Sequence, residues 1–175
     1  MKMFTRNTAM KQGGFTLIEL MITVAVLAIF LSIAAPSFTR LMERSRVTSA
    51  TNNFIGVFQY ARAEAVRNNK RVVVQNVGGW RNGIRVFLDA DGNGAWAGTA
   101  AEKELRLEGA FKNMLITASN GAASVVFMPD GTTSLLSAGT NITFGLCSTV
   151  PDIDGRKVQV MASGVVRLED ATTCN

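Results

Sequence analysis

The most unusual chemical group in the sequence is one carboxylate, Glu19, inside a long apolar run. Twelve of residues 15–35 are Leu, Ile, Val or Phe, and Glu19 is the only charged one. A helix of that length reaches about 30 Å, the thickness of a bilayer's hydrocarbon core. Inserting the apolar side chains is favourable by about 4–7 kcal/mol, which exceeds a cost of about 3 kcal/mol for one carboxylate. The run is therefore predicted to span a membrane, and Glu19 requires a partner of opposite charge.

Catalytic chemistry has little support in the residue types. The chain has no His, which removes the commonest general base and the commonest zinc ligand. It has no nucleophile elbow, no phosphate loop and no metal-ligand cluster in its motifs. A pair such as Ser163 and Lys157 can be found in any chain of this length. We expect no enzymatic activity and no cofactor.

A second set of acidic residues lies in the glycine-rich segment Asp89-Ala90-Asp91-Gly92-Asn93-Gly94. Its spacing matches the opening of an EF-hand calcium loop, but Ala100 occupies the twelfth position, where a bidentate Glu is needed. Glu102 and Glu104 are near but out of register. An Asx- and Gly-rich turn accounts for the segment, so we expect no metal there. The only calcium candidates are Asp89, Asp91 and Asn93.

Hydrophobic periodicity predicts one long helix over residues 15–69. Pro36 follows the apolar run and predicts a kink, because proline removes a helical hydrogen bond. The helical pattern then resumes, and Asn68-Asn69 is a plausible end. One apolar face is predicted, made of Phe54, Val57, Phe58, Ala61 and Ala65. We expect the first half of the helix to lie in lipid and the second half to pack on a soluble domain.

After residue 69 the pattern changes to short β-type runs separated by glycine. We predict strands at 71–75, 84–88, 104–107, 114–118, 124–128, 134–136, 141–146, 157–161 and 165–168. Their spacing favours either a meandering antiparallel sheet or two small sheets. The predicted fold class is α+β: a long N-terminal helix, transmembrane and then amphipathic, packed on an antiparallel β-sheet domain.

The segment Gly14-Phe15-Thr16-Leu17-Ile18-Glu19 resembles the processing site of type IV prepilins and pseudopilins. The chain is identified as a member of the pilin-like family of H-type pseudopilins and FimT/FimU-like minor pilins. The resemblance implies that a prepilin peptidase cleaves after Gly14 and methylates the new amino terminus at Phe15. It also implies that Glu19 pairs with the terminal ammonium of a neighbouring subunit during assembly. Family members have a proline at the position of Pro36 and a similar acidic, glycine-rich segment. The alternative is an uncleaved signal anchor with Glu19 near the interface.

The resemblance also implies a division of the chain. Residues 1–14 would be a cytoplasmic leader that is removed, 15–35 a transmembrane and filament-core helix, 36–69 its amphipathic continuation, and 70–175 a periplasmic β-rich domain. The formal charge of +5 includes three leader cations, so the processed chain carries +2. Charges on the two sides of the run do not decide its orientation. Cys147 and Cys174, an even pair in an exported domain, are predicted to form a disulfide.

The carboxyl-terminal segment holds the candidate DNA contacts Arg156, Lys157 and Arg167. Some FimT-like minor pilins bind DNA through a Gly-Arg-x-Arg segment, and the matching stretch here is Gly164-Val165-Val166-Arg167, with Val165 in place of the first arginine. Three cations in residues 150–175 face four anions: Asp152, Asp154, Glu169 and Asp170. Such a segment is a poor phosphate-binding surface. We expect a solvated hairpin here.

The predicted function is that of a minor type IV pilin subunit. It would be held in the inner membrane and then incorporated into a pilus, or prime its assembly, with other minor and major pilins as partners. One alternative is a minor pseudopilin of a type II secretion system, which shares this fold and assembly chemistry. A second alternative is a DNA-binding minor pilin for natural transformation.

Overall fold

The computed structural model describes residues 14–134, 141–172 and 174. They form α1 (Leu17–Asn68), β1 (Val72–Asn76), β2 (Ile84–Leu88), β3 (Glu104–Glu108), β4 (Met114–Ala118), β5 (Ser124–Phe127), β6 (Asn141–Ser148), β7 (Gly155–Met161) and β8 (Val166–Thr172). The chain divides into two compact units, Met1–Thr39 and Arg40–Asn175. The predicted fold class is confirmed.

The predicted long helix is confirmed, and local chemistry explains its end. Asn69 has a positive φ of 50°, which a left-handed residue after a helix requires and which Asn tolerates. The Asn69 N–H donates to the Val66 carbonyl and the Lys70 N–H to the Ala65 carbonyl, so two terminal carbonyls are satisfied in a Schellman pattern. Pro36 lies within α1, but its side chain is outside those described, and the kink stays a prediction.

The strands form two antiparallel sheets, ordered β3-β2-β1-β5 and β4-β6-β7-β8. Of the two predicted arrangements, the structure therefore has the two small sheets. The first sheet is not a meander, because β5 pairs with β1 only after β4 has joined the other sheet. Eight strand predictions are correct within a few residues. The ninth, at 134–136, is wrong at Ser134, which lies outside any strand, and its other residues lie outside those described.

One hydrophobic core joins the second part of α1 to both sheets. The predicted apolar face of α1 is confirmed, since all five of its residues are fully buried. Phe144 of β6 lies at the centre, with ring centroids 5.0 Å from Phe54, 5.4 Å from Phe58 and 4.9 Å from Trp80. The Trp80 indole N–H donates to the Ala122 carbonyl over 2.7 Å, so this buried ring has no unpaired polar atom. Burying each such ring stabilises the fold by roughly 1.5–3 kcal/mol.

A smaller apolar cluster lies on the opposite face of the first sheet. Val73, Phe87 and Val126 are buried there on three adjacent strands. Trp96, from the connection between β2 and β3, packs on them with its ring 5.2 Å from that of Phe87. The β2–β3 connection (residues 89–103) thus covers apolar surface that would otherwise face solvent.

A polar network joins α1 to β3. The Asn53 side-chain amide donates to Glu108 over 2.7 Å, and the Arg106 guanidinium donates to Glu108 and to Asn53. The hydrogen bond from Asn53 is the main reason that the pKa of Glu108 lies below its ordinary value, with Arg106 acting in the same direction. The contact between α1 and β3 therefore includes a polar network whose charge changes when Glu108 titrates.

Candidate functional site

The residues of the predicted cleavage site precede α1 and are open to solvent. Phe15 is 81% exposed, and a Cβ added to Gly14 would meet no atom within 4 Å. A peptide bond between two such residues is sterically accessible to a protease. The cleavage itself stays a prediction.

Glu19 has a local structural role that the sequence analysis missed. Its N–H donates to Thr16 Oγ1 over 3.2 Å, so Thr16 is the N-cap of α1 and Glu19 is the third helical residue. A Thr followed three residues later by Glu is the capping-box pattern, and an acid in the first turn favours the helix dipole. The three-residue spacing of Thr16 and Glu19 in the sequence is the signal that could have predicted this cap.

The apolar segment of α1 has no protein environment in a single chain. Every residue from 14 to 35 is exposed, including the bulky side chains on all sides of the helix. By length and composition, α1 is the one helix in the described part of the chain that could cross a membrane. A helix that is apolar all round requires lipid or other apolar helices as its surroundings.

The polar groups of this segment are satisfied within the helix, with one exception. The Thr23 hydroxyl donates to the Leu20 carbonyl and the Ser32 hydroxyl to the Ile29 carbonyl, over 2.8 and 2.7 Å. Such bonds let hydroxyls enter an apolar medium at little cost. Within the described residues, the Glu19 carboxylate has neither a hydrogen-bond donor nor an ion-pair partner. In an apolar environment it would be the one group of this segment that needs an external partner.

The acidic segment after β2 forms a different cluster from the predicted one. Oxygens of Asp89, Asp91 and Glu102 all lie within 4.8 Å of one another. The third predicted candidate, Asn93, lies in the same turn: its side-chain oxygen accepts from the Ala95 N–H and its side-chain amide donates to Asp91. The third group is Glu102, which is out of register along the chain but is brought back where β3 pairs with β2.

The predicted disulfide between Cys147 and Cys174 is present. It passes over β7, because Cys147 lies on β6 and Cys174 follows β8, the strand on the other side. Gly155 of β7 lies directly beneath it. A Cβ at Gly155 would overlap the Cys174 sulfur and would lie 2.8 Å from both the Cys147 sulfur and the Leu146 carbonyl oxygen. The disulfide crossing thus requires the glycine.

The structure does not bring the three candidate DNA contacts together. Arg156 lines a small cleft of about 110 Å³ beside the helix residues Arg44 and Thr48. Lys157, the next residue along the strand, belongs to the other face of β7. It lies directly opposite Glu169, and Arg167 lies opposite Gln159. The negative charge of Glu169 beside Lys157 weakens phosphate binding on this part of the strand pair.

Gly164, the glycine of the candidate DNA motif, also has a structural role. It has a φ of +75° in the turn between β7 and β8, and a Cβ there would collide with the Gly131 carbonyl oxygen. Arg62 of α1 holds the two turns together, since its guanidinium donates to the carbonyls of Gly131 and Ser163. Packing therefore accounts for the glycine without a ligand.

Comparisons with known proteins agree with this architecture. A family model described as the type II transport protein GspH matches residues 50–164, and one described as the prokaryotic N-terminal methylation motif matches residues 9–35. A fimbrial protein of Pseudomonas aeruginosa is 39% identical over 62 residues, 35% of this chain and 40% of that protein. The chain thus spans well under half the length of this curated relative.

Among solved structures, the type IV minor pilin FimU of Pseudomonas aeruginosa is similar, with a TM-score of 0.62 and 24% identity over 74% of this chain and 95% of that chain. The minor pseudopilin EpsH of the type 2 secretion system of Vibrio cholerae has a TM-score of 0.48 and 13% identity over 71% and 96%. The latter score is too low to support an argument. The FimU likeness concerns the fold.

Proposed function

The chain belongs to the family of the type II transport protein GspH, and from this premise we propose that it is a minor type IV pilin, cleaved after Gly14 and incorporated into a pilus. The match of the N-terminal methylation motif to residues 9–35 supports processing at this position. Residues 1–14 are then the cytoplasmic leader, 15–35 the membrane and filament-core helix, 36–69 its continuation, and 70–175 the periplasmic domain. Its partners are other pilins and the prepilin peptidase.

The observation that carries this proposal is the isolated Glu19 carboxylate in a segment whose hydroxyls are satisfied internally. Cleavage creates an ammonium at Phe15, next to the apolar segment of its own chain. When two subunits pack side by side, the Phe15 ammonium of one is a partner for Glu19 of the other. At a separation of about 4 Å and an effective dielectric constant of about 20, such a pair attracts by roughly 4 kcal/mol. Pairing thus favours one axial offset between neighbouring helices, which is what a filament needs.

The cleavage site is tested by Gly14→Ala. We expect the variant to keep its leader, because the new methyl group enters the position at which the peptidase cuts. Intact mass of the purified protein distinguishes the two forms. A mature protein that still begins at Met1 in a functional wild-type strain would contradict the processing claim.

The assembly role is tested by Glu19→Ala, with Thr16→Ala as the matched control. Thr16→Ala weakens the N-cap of α1 by about 1 kcal/mol and keeps the charge. Glu19→Ala keeps the backbone N–H that Thr16 caps and removes the charge, together with its favourable interaction with the helix dipole. We expect Glu19→Ala to be processed and to enter filaments at least about tenfold less than wild type, since about 1.4 kcal/mol is a factor of ten. Equal losses in the two variants would mean that Glu19 acts only through the helix cap.

A minor pseudopilin of a type II secretion system remains the alternative, because its assembly chemistry is the same. The two functions are distinguished by the filament in which the protein is found, either sheared pili or the secretion pseudopilus. Genes adjacent to this one provide the simplest evidence, either pilus subunits or components of a secretion channel.

A further inference from the structure

The β2–β3 connection contains two buried carboxylates that each accept a hydrogen bond at only one oxygen within the described residues. Asp89 and Glu102 are 6% and 5% exposed. Asp89 Oδ1 accepts from the Gly94 N–H over 3.3 Å, and Glu102 Oε2 accepts from the Ala97 N–H over 2.7 Å. The other oxygens, Asp89 Oδ2 and Glu102 Oε1, are buried and have no hydrogen-bond partner within the described residues. Buried carboxylate oxygens left in this state are costly and rare in native proteins.

The two carboxylates lie beside a third, that of Asp91. One carboxylate oxygen from each of Asp89, Asp91 and Glu102 belongs to a set in which every pair of oxygens lies within 4.8 Å. Two oxygens that each lie about 2.4 Å from one ion can be at most about 4.8 Å apart, so the set meets the spacing that binding to a single calcium ion requires. Asp91 is exposed, which leaves a side open to solvent and to an incoming ion.

The local charge balance also favours a cation. Among the described residues, Arg71 is the one cation that forms an ion pair with the cluster. Its Nε lies 3.2 Å from Asp89 Oδ2, but the contact does not have hydrogen-bond geometry. Arg85 is engaged elsewhere, because it pairs with Glu104 over 2.8 Å and lies over the Trp96 ring. Three carboxylates and one guanidinium leave two negative charges unbalanced, which is the charge of one divalent cation.

We propose that Asp89, Asp91 and Glu102 bind one calcium ion in the β2–β3 connection. The ligands are all oxygens, which suits Ca²⁺ or Mg²⁺ and not a transition metal. A set of protein oxygens on a loop with several glycines favours Ca²⁺, since Mg²⁺ demands rigid octahedral geometry and keeps most of its water. Backbone carbonyls and water complete the coordination.

The ion fastens the start of the connection, at Asp89, to its end, at Glu102. Trp96 lies between these two points and covers the apolar cluster on the outer face of the first sheet. Calcium therefore stabilises the loop that keeps Val73, Phe87 and Val126 away from water. This role concerns the soluble domain alone and does not depend on how the protein is processed or assembled.

The proposal is tested on the full-length chain in an uncharged detergent, after removal of metal with a chelator. Ca²⁺ is titrated while Trp fluorescence and heat of binding are recorded, with Trp96→Phe to assign the optical signal. We expect one saturable site with a dissociation constant of about 10⁻⁴–10⁻³ M, the range of extracellular calcium modules. The unfolding midpoint should rise by several degrees at about ten times that concentration.

Glu102→Gln is the decisive variant, and Glu104→Gln is its matched control. The first keeps the shape and an acceptor for the Ala97 N–H, whereas the second removes an equivalent charge that pairs with Arg85 outside the cluster. We expect calcium binding to weaken at least about tenfold in Glu102→Gln and less than about twofold in Glu104→Gln. Without calcium, Glu102→Gln should unfold at the wild-type temperature or above, because it removes repulsion between carboxylates.

Asp91→Asn gives a second test that does not touch a buried residue, and it should weaken binding about tenfold as well. The proposal is overturned if no saturable response occurs up to roughly 10 mM Ca²⁺, or if Mg²⁺ binds as tightly. It is also overturned if Glu102→Gln and Asp91→Asn both bind calcium as wild type does, or if Glu104→Gln loses as much affinity as they do.

Discussion

Gly155→Ala tests whether the disulfide crossing is what excludes a side chain from this position of β7. The added Cβ would contact three atoms at less than normal distance: two belong to the disulfide and one is the Leu146 carbonyl oxygen. Overpacking costs roughly 1–3 kcal/mol of unfolding free energy, and three simultaneous close contacts place Gly155→Ala in the upper part of that range, at about 2–3 kcal/mol. Because two of the three contacts come from sulfur, most of that cost should vanish when the sulfurs are removed.

The matched background is the double variant Cys147→Ala/Cys174→Ala. Removing the disulfide should itself cost about 3.5 kcal/mol in the chain-entropy model, because the bond closes a loop with a sequence separation of 27. In that background Gly155→Ala should cost only about 1 kcal/mol, from the remaining contact with the Leu146 carbonyl. The coupling between the glycine and the disulfide is then about 1–2 kcal/mol, well above the error of such cycles.

The assay is urea unfolding of the four proteins in mild detergent, followed by the fluorescence of Trp80. This indole is 4% exposed and packs on Phe144 in the core, so its emission reports loss of the β domain. Trp96→Phe in all four proteins removes the other indole. If the two costs add within about 0.5 kcal/mol, the disulfide does not cause the exclusion and the reasoning is refuted.

Two further predictions follow from the soluble domain. Phe54→Ala should lower the free energy of unfolding by about 3–5 kcal/mol, because a fully buried ring leaves a cavity; Phe30→Ala, which is 66% exposed, should leave the same urea transition unchanged. Asn53→Ala should raise the pKa of Glu108 toward its ordinary 4.5, since it removes the largest cause of the lowering. A group with a lowered folded pKa stabilises the fold above its unfolded pKa, and this stability is lost as the pH falls through the folded pKa. The variant should therefore lose less stability than wild type between neutral pH and the acid range; NMR titration of Glu108 checks the pKa, and an unchanged value would contradict the assignment.

The helix and most strands could be predicted because their patterns are local. The apolar positions of α1 recur at the helical period, and several of the β-type runs are followed by glycines that adopt positive φ, such as Gly78, Gly121 and Gly131. The arrangement of the strands depends on contacts between distant residues, and the sequence spacing left one sheet and two equally open. The pairing of β5 with β1, across three intervening strands of the chain, has no local signal.

The candidate sites show the same division between local and distant information. Glu19 was found from its position in an apolar run, and its capping by Thr16 was visible three residues away. The calcium-loop pattern compares positions along the chain, and Glu102 is out of register with it. The pairing of β3 with β2 nevertheless places Glu102 close to Asp89. Gly155 has no local signal in the sequence, because the disulfide that excludes a side chain there is formed by residues before and after it.

The disulfide also restrains the outermost strand of the second sheet. β8 is the last strand of its sheet, so one row of its backbone donors and acceptors has no strand partner within the described residues. An edge strand that peels away can pair with the same strand of a neighbour and begin an aggregate. Because Cys174 follows β8 and is bonded to β6, the strand cannot swing out while the bond is intact. Oxidation of the two cysteines therefore holds in place an edge strand that could otherwise pair with another copy of the chain.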